Sequence, residues 1–432
     1  MKFLRSLNHH LADPRHHAAV LPGGLCVLAE PVPHVPSLAL GVWVRCGSRD
    51  EEPGDAGITH FIEHLVFKGS RRHSGYQLAK RMEALGGQID AYTTKENTCF
   101  YARVFEGHRR QAIEILAELL CEAAFEPESI EREVQVVAEE IQSYEDNPEE
   151  LIHDLASEVL FDSHPLGTPI LGRLESLRGL SARRVRRFHR ERYVAPQVIV
   201  AAAGCVEFPR LVAEVQKSFR FPRREAPNGR IPLPRFRQRV AHVERDLSQV
   251  SVCLVRRGPS YHDPSRHAKY LLNTILGAGG SSRLYQCIRE EEALAYAVYS
   301  FMDSYRDTGA FGVYLGVNPD QTARALRLVC RELRRVKRDG VRAWELEAAK
   351  AQVFAGLFLS YESMYERIAR LAHNQEYYGR QVPLAQVVDA IEQVTLEDVQ
   401  RAAEDLLDPA RFSLVTLGPA GSPRVGVEEL DF

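Results

Sequence analysis

The stretch that decides the reading is GITHFIEHLVFKGS, residues 57–70. Its apolar residues Ile58, Phe61, Ile62, Leu65 and Val66 recur at helical spacing, and Gly69 with Ser70 closes the run. A helix with one buried stripe is therefore predicted. Within it, His60 and His64 stand four apart, on one face and one turn from each other. Two imidazoles so placed can bind one metal ion at about 2.0–2.1 Å per nitrogen. Glu63 projects at a neighbouring angle, free to take a proton from an attacking water rather than to ligate. Sixteen histidines in the chain lead to roughly 0.05 chance occurrences of His-x-x-Glu-His, so the motif alone is suggestive and a third ligand has to be found.

The tract EREVQVVAEEI, residues 131–141, offers carboxylates. Glu133 and Glu140 are seven apart, two helical turns, and share a face. Val134, Val137 and Ile141 form an adjacent apolar face that would pack such a helix into a core. One carboxylate could ligate while the other stays nearby; the residues leave open which.

Outward from this pair, residues 24–46 hold two β-rich runs around a proline-containing turn, expected as a hairpin or meander. A helix over 76–85 ends at Gly86-Gly87, and 88–104 reads as a strand pair. Residues 107–123 are helical, with Ile113, Leu116, Leu119 and Leu120 on one side. The helical tract 127–160 is interrupted at Asn147-Pro148; a basic helix over 181–192 and a buried strand over 198–204 follow. The stretch 220–235 carries four prolines and many arginines, and its 223–235 part is taken as a linker. The pattern then restarts: a strand at 249–256, helices at 265–277 and 282–292, strands at 295–302 and 309–317, long helices at 319–337 and 342–372, and a last strand at 411–417. The halves 1–222 and 236–432 thus repeat one order of elements, as after an internal duplication. The expected class is α+β, two related domains, each a mainly antiparallel sheet with helices packed on one face.

The chain of 432 residues carries 55 Lys and Arg against 58 Asp and Glu, a net charge of −3. That balance argues against nucleic acid as a partner, and no apolar run approaches the roughly 20 residues of a membrane span. The N-terminal MKFLRSLNHHLADPRHH lacks the apolar centre of a secretory signal. None of the eight cysteines forms a Cys-x-x-Cys pair; they read as reduced core residues of a cytoplasmic protein. The basic run from Arg183 to Arg192 reads as a solvated helix face anchored by Val185 and Phe188. Gly277, Gly279 and Gly280 before Ser281 read as a tight turn, since GAGGSS matches no phosphate-binding loop. His9, His10, His16 and His17 have no carboxylate partner in sequence, and no function is expected of them.

Four segments in order carry a resemblance: GITHFIEHLVFKGS (57–70), LGGQIDAYTTKENTCFYARV (85–104), EREVQVVAEEIQSYEDNPEE (131–150) and LGAGGSSRLYQCIREEEALAYAVYS (276–300). They resemble the pitrilysin-type, inverted-zincin metallopeptidases, in particular the mitochondrial-processing-peptidase subgroup and its bacterial homologues. The resemblance implies one zinc ion per chain held by His60, His64 and Glu140, the last 76 positions after the second histidine. It implies Glu63 as general base and Glu133, seven residues before Glu140, as an accessory acid. It implies that the edge strand near 88–101 pairs with substrate backbone, with Ala91, Thr93 and Asn97 as candidate contacts, and that Arg289 and Tyr296 reach the substrate carbonyl. Relatives of this length form half of a four-domain clamshell. A homodimer enclosing a chamber, cutting peptides or extended unfolded polypeptide segments, is the expectation. The rival readings are a non-catalytic core or peptide-binding subunit on the same fold, and a metal-dependent hydrolase of non-peptide substrates.

Overall fold

The computed structural model describes residues 16–225, 231–426 and 429–430. His9, His10, most of the N-terminal segment and residues 226–230 of the expected linker lie outside the described residues. The chain forms two compact units. The first comprises residues up to Gln142 with Thr168–Ile231 and Leu357–Gln386; the second comprises Ser143–Gly167, Pro232–Gly356 and Val387 onward. The expected partition into 1–222, 223–235 and 236–432 is contiguous, and these units are not: each half of the sequence contributes one helical segment to the other half's unit.

The first unit holds a six-stranded sheet. Its strands are β1 (His17–Val20), β2 (Cys26–Pro31), β3 (Ser37–Val44), β4 (Gln88–Thr93), β5 (Thr98–Phe105) and β6 (Val198–Gly204), in the order β1-β2-β6-β3-β5-β4. Only β2 and β6 run parallel. The expected hairpin over 24–46 does not form, because β6 lies between β2 and β3. Every residue of β6 is buried, so this strand has a place only in the sheet interior. β4 is an edge strand, paired on one side with β5 from Thr93 opposite Thr98 to Gln88 opposite Arg103.

One face of this sheet (Leu40, Val42, Phe100, Ala102, Val200) packs under helices that include Ile58–Val66, Arg109–Cys121 and Pro127–Glu145. The opposite face is also covered, beyond the one-sided packing expected: Leu28, Trp43, Cys99, Ile199 and Ala201 bury against Ile368, Leu371 and Ala372 of the Met364–Tyr378 helix. The small side chains of Ala201 and Ala203 let that helix approach. The single long helix expected over 342–372 is broken after Ser360, and Ser363 caps the second piece through the Glu366 amide at 3.3 Å.

The second unit repeats the plan with five strands: β7 (Val240–Glu244), β8 (Val250–Gly258), β9 (Ala295–Ser304), β10 (Gly309–Val317) and β11 (Ser413–Gly418), in the order β7-β11-β8-β10-β9. Again one pair, β7 with β11, is parallel and the rest antiparallel. The Pro148–Phe161 helix covers one face, with Ile152, Ala156, Leu160 and Phe161 against Cys253, Val255, Tyr314 and Val415. The alternate residues Leu254, Val313 and Leu414 are buried on the other face, and the Arg266–Gly277 helix packs on β9 and on the Leu396–Leu406 helix. The α+β class with two related sheets is therefore observed. All eight cysteines are free thiols. Among the described residues, no helix is long and apolar enough to cross a membrane.

Candidate metal centre

Ile58, Phe61, Ile62, Leu65 and Val66 sink one side of the Ile58–Val66 helix into the core. That leaves His60 and His64 together on another side, their ring centroids 4.6 Å apart. The Pro127–Glu145 helix buries Ile130, Val134 and Val137 in the same core, which turns Glu133 and Glu140 toward the histidines. Glu140 Oε1 lies 3.7 Å from His60 Nε2, and Glu140 Oε2 lies 3.6 Å from His64 Nε2. Glu133 Oε1 instead accepts from His64 Nδ1 at 2.9 Å.

Among the described residues, His60, His64 and Glu140 form a group whose ligand atoms all lie within 4.8 Å of one another. The contacts of 3.6 and 3.7 Å are too long for hydrogen bonds. They lie at or about 0.1 Å beyond the separation of roughly 3.3–3.6 Å between ligands set tetrahedrally about 2.0–2.2 Å from one ion. Glu140 Oε2 is buried and has no hydrogen-bond partner, as an atom awaiting a cation would be. Two neutral imidazoles and a carboxylate are donors that suit zinc, so the residues fit the group.

The surroundings tune these donors. Burial, reinforced by the nearby His64, lowers the His60 pKa to about 4, which keeps its imidazole neutral and its lone pair available. The hydrogen bond to Glu133 raises the His64 pKa against the effect of burial, and it fixes the proton on Nδ1 so that Nε2 faces Glu140. Glu133, 3% exposed, is held ionised: burial opposes this, but the hydrogen bonds from His64 and Lys68 outweigh it. Lys68 Nζ sits 2.8 Å from Glu133 Oε2. Sequence reasoning passed over Lys68, although it continues the four-residue spacing of His60 and His64.

Glu63 is 8% exposed. Burial raises its pKa, partly offset by Thr93, whose Oγ1 donates to Glu63 Oε2 at 2.5 Å. Thr93, at the end of edge strand β4, thus meets the acid of the motif. Ala91 lies in the same strand and packs on the core. Asn97 is engaged elsewhere: 9% exposed, it donates from Nδ2 to Glu376 Oε2 at 3.0 Å on the Met364–Tyr378 helix. That bond ties the Asn97 side chain to this helix.

In the second unit, Arg289 and Tyr296 lie side by side. Arg289 Nη1 donates to the Tyr296 carbonyl at 2.7 Å, and its guanidinium stands 4.5 Å from the centroid of the Tyr296 ring and 4.9 Å from that of Tyr285. Tyr296 is 78% exposed. The helix expected over 282–292 is a π-helical turn from Tyr285 to Glu291, a form that recurs at functional sites.

Comparison with known proteins places these features in context. A family profile described as "Insulinase (Peptidase family M16)" matches residues 26–173, and one described as "Peptidase M16 inactive domain" matches residues 179–353. An "uncharacterized zinc protease" of Mycobacterium tuberculosis is 38% identical over 96% of both chains. Another, of Bacillus subtilis, is 33% identical over 92% of this chain and 97% of its own length. Among solved structures, a peptidase M16 inactive domain from Pseudomonas fluorescens superimposes with a TM-score of 0.89 at 21% identity, covering 95% of this chain and 99% of that one. A protease from Helicobacter pylori does so with 0.86 at 22% identity, over 94% and 100%.

Proposed function

Because the chain belongs to the insulinase-type peptidase family M16, whose relatives carry the name zinc protease, we propose that it is a zinc-dependent endopeptidase acting on peptides and extended polypeptide segments. The observation that carries this reading is the meeting of His60, His64 and Glu140 around one point, with the buried Glu63 one position before the second histidine.

Zinc, when bound, would lower the pKa of water from about 15.7 toward 7 and polarise a carbonyl. The chain's own residues supply the rest. His60, neutral across the physiological range, and His64, oriented by Glu133, present Nε2 lone pairs. Glu63, with its affinity for a proton raised by burial, accepts one from the attacking water and returns it to the leaving amine. Thr93 holds the Glu63 carboxyl in one orientation. The unpaired side of β4 offers main-chain groups to an extended peptide, which suits a polypeptide backbone better than other substrates. Arg289 and Tyr296 serve as donors to the developing oxyanion. Two copies of the chain assemble as a homodimer around an enclosed chamber, which admits short or unfolded chains.

The test pairs elemental analysis with mass spectrometry of a digested peptide mixture. Wild-type protein should carry zinc and cleave. Glu63→Gln should retain zinc and lose about 10²–10⁴-fold in rate. A Glu63→Gln protein that cleaves at the wild-type rate would sink the proposal. Light scattering that shows a fully active monomer would remove the dimer from it.

A further inference from the structure

The helix that bears His60, Glu63 and His64 starts in an unusual way. Its N-cap is Gly57, in the left-handed region at φ 89°, and no side chain caps it there. None can be added: a Cβ at Gly57 would stand 2.6 Å from the Leu171 carbonyl oxygen. Two backbone amides at this start, those of Gly57 and Thr59, are nevertheless satisfied by a residue six positions upstream of Gly57. Glu51, 7% exposed, accepts from the Gly57 amide at 2.8 Å through Oε2 and from the Thr59 amide at 2.9 Å through Oε1. Its carboxyl group does what an N-cap side chain does in other helices.

The loop that supplies Glu51 is fastened to the far end of the edge strand. The Ser48 amide donates to the Thr94 carbonyl at 3.1 Å and the Arg49 amide to the Lys95 carbonyl at 2.8 Å. Arg49 Nη1 meets Glu96 Oε1 at 2.7 Å, with both side chains 2% exposed. From outside, Arg184 pairs with Asp55, and Arg192 donates to the Asp50 carbonyl at 2.9 Å. The basic helix is thus partly spent on clamping this loop, where a solvated face was expected. One short connection therefore touches the turn after Thr93 and the first turn before His60, and the Glu63–Thr93 contact lies between those two attachments.

We propose that Glu51 is a positioning residue for the reaction: held by the Arg49–Glu96 pair, it fixes the start of the metal-binding helix relative to edge strand β4, and so sets Glu63 and His60 against the backbone of a bound peptide. This deepens the peptidase reading and rests on it for its kinetic part. Its metal part stands separately, because a helix whose first turn frays moves His60, which sits in that turn.

The experiment compares Glu51→Ala and Glu51→Gln with wild type in the full chain. The readouts are zinc affinity by chelator competition, the kcat and KM of peptide cleavage, and the thermal midpoint. Loss of the remote cap should weaken zinc by about 10–100-fold, the range typical of residues that orient metal ligands. It should lower kcat with KM within about twofold, since the edge strand itself is untouched. Glu51→Gln keeps one acceptor oxygen and should recover part of both losses, and it carries the test if Glu51→Ala fails to fold. Wild-type zinc affinity and kcat in Glu51→Gln and Glu51→Ala overturn the proposal. So does a loss no larger than that of a core variant such as Ile368→Val matched for thermal midpoint. If Glu63→Gln proves harmless, the peptidase reading falls, and the zinc-affinity arm still decides the role of Glu51.

Discussion

The two sheets can be superimposed strand for strand in topology, and only one carries the metal residues. The order β2-β6-β3-β5-β4 in the first unit corresponds to β7-β11-β8-β10-β9 in the second, with the parallel pair at the same place; among the described residues β1 is the sole addition. The helix between β3 and β4, Ile58–Val66, has its counterpart in Arg266–Gly277 between β8 and β9. In the first, His60 and His64 face Glu140. In the second, Lys269, 6% exposed, meets Asp263 at 2.9 Å and Asp405 at 2.6 Å. The counterpart helix thus carries an ammonium paired with acids, where the first carries two imidazoles beside a carboxylate. The fold offers a helix beside an edge strand; a few side chains decide whether it does chemistry.

The largest expected effect follows from removing zinc. Ligand bound only to the native state stabilises it by about 2.7 kcal/mol at 100 times Kd and about 4.1 at 1,000 times Kd. In calorimetry, chelation should lower the transition of the first unit by amounts in that range, abolish peptidase activity and leave the second unit's transition in place. Equal shifts of both transitions would erase the distinction drawn between the two helices.

How much of this was readable beforehand differs by feature. The spacing of His60 and His64 is local, and a 3.6-residue period is enough to put them on one face. Glu133 and Glu140 were readable as a pair but not as separate roles, because the hydrogen bond from His64 Nδ1 to Glu133 exists only once two helices meet. The apolar stripe of Pro148–Phe161 shows that this helix is buried; nothing in it shows against which sheet. The insertion of β6 between β2 and β3 is likewise a pairing of residues more than 150 positions apart, and the partner of Asn97 is 279 positions away. The helices Phe208–Ser218, Leu384–Glu392 and Leu396–Leu406 went unread, and so did the remote cap Glu51, whose acid stands outside the helix it completes.

A second prediction sharpens the comparison by pH. His189, on the basic helix of the first unit, stacks on Tyr193 at 4.3 Å and meets the edge of Phe125. Burial lowers its pKa to about 4, against a bond to the Leu120 carbonyl that favours the charged form. Its folded value lies below the ordinary 6.5, so the unfolded chain takes up the proton first. The native state is unaffected above pH 6.5 and loses stability steadily from there down to about pH 4. At about 1.4 kcal/mol per pKa unit this amounts to about 3 kcal/mol. His189→Phe should flatten that acid limb in denaturant titrations at pH 7, 5.5 and 4. A limb of unchanged slope would assign the acid sensitivity to other groups.

The smallest expected effect concerns the built-in cation. Lys269→Met removes the charge and keeps much of the apolar stem, leaving Asp263 and Asp405 without their shared partner. Removing one partner of a fully buried pair costs about 3–5 kcal/mol. Asp405 is 45% exposed at its side chain and Asp263 22%, so water takes over part of the solvation. The expected loss is about 1–2 kcal/mol in the second unit's transition. Zinc affinity and peptide cleavage, which depend on the other helix, should not change. A Lys269→Met chain with weakened zinc binding would mean that the two copies of the plan are energetically coupled. One with unchanged stability would mean that the ammonium of the second copy fills a place and holds nothing, and the contrast between a recruited and a resident cation would be one of composition alone.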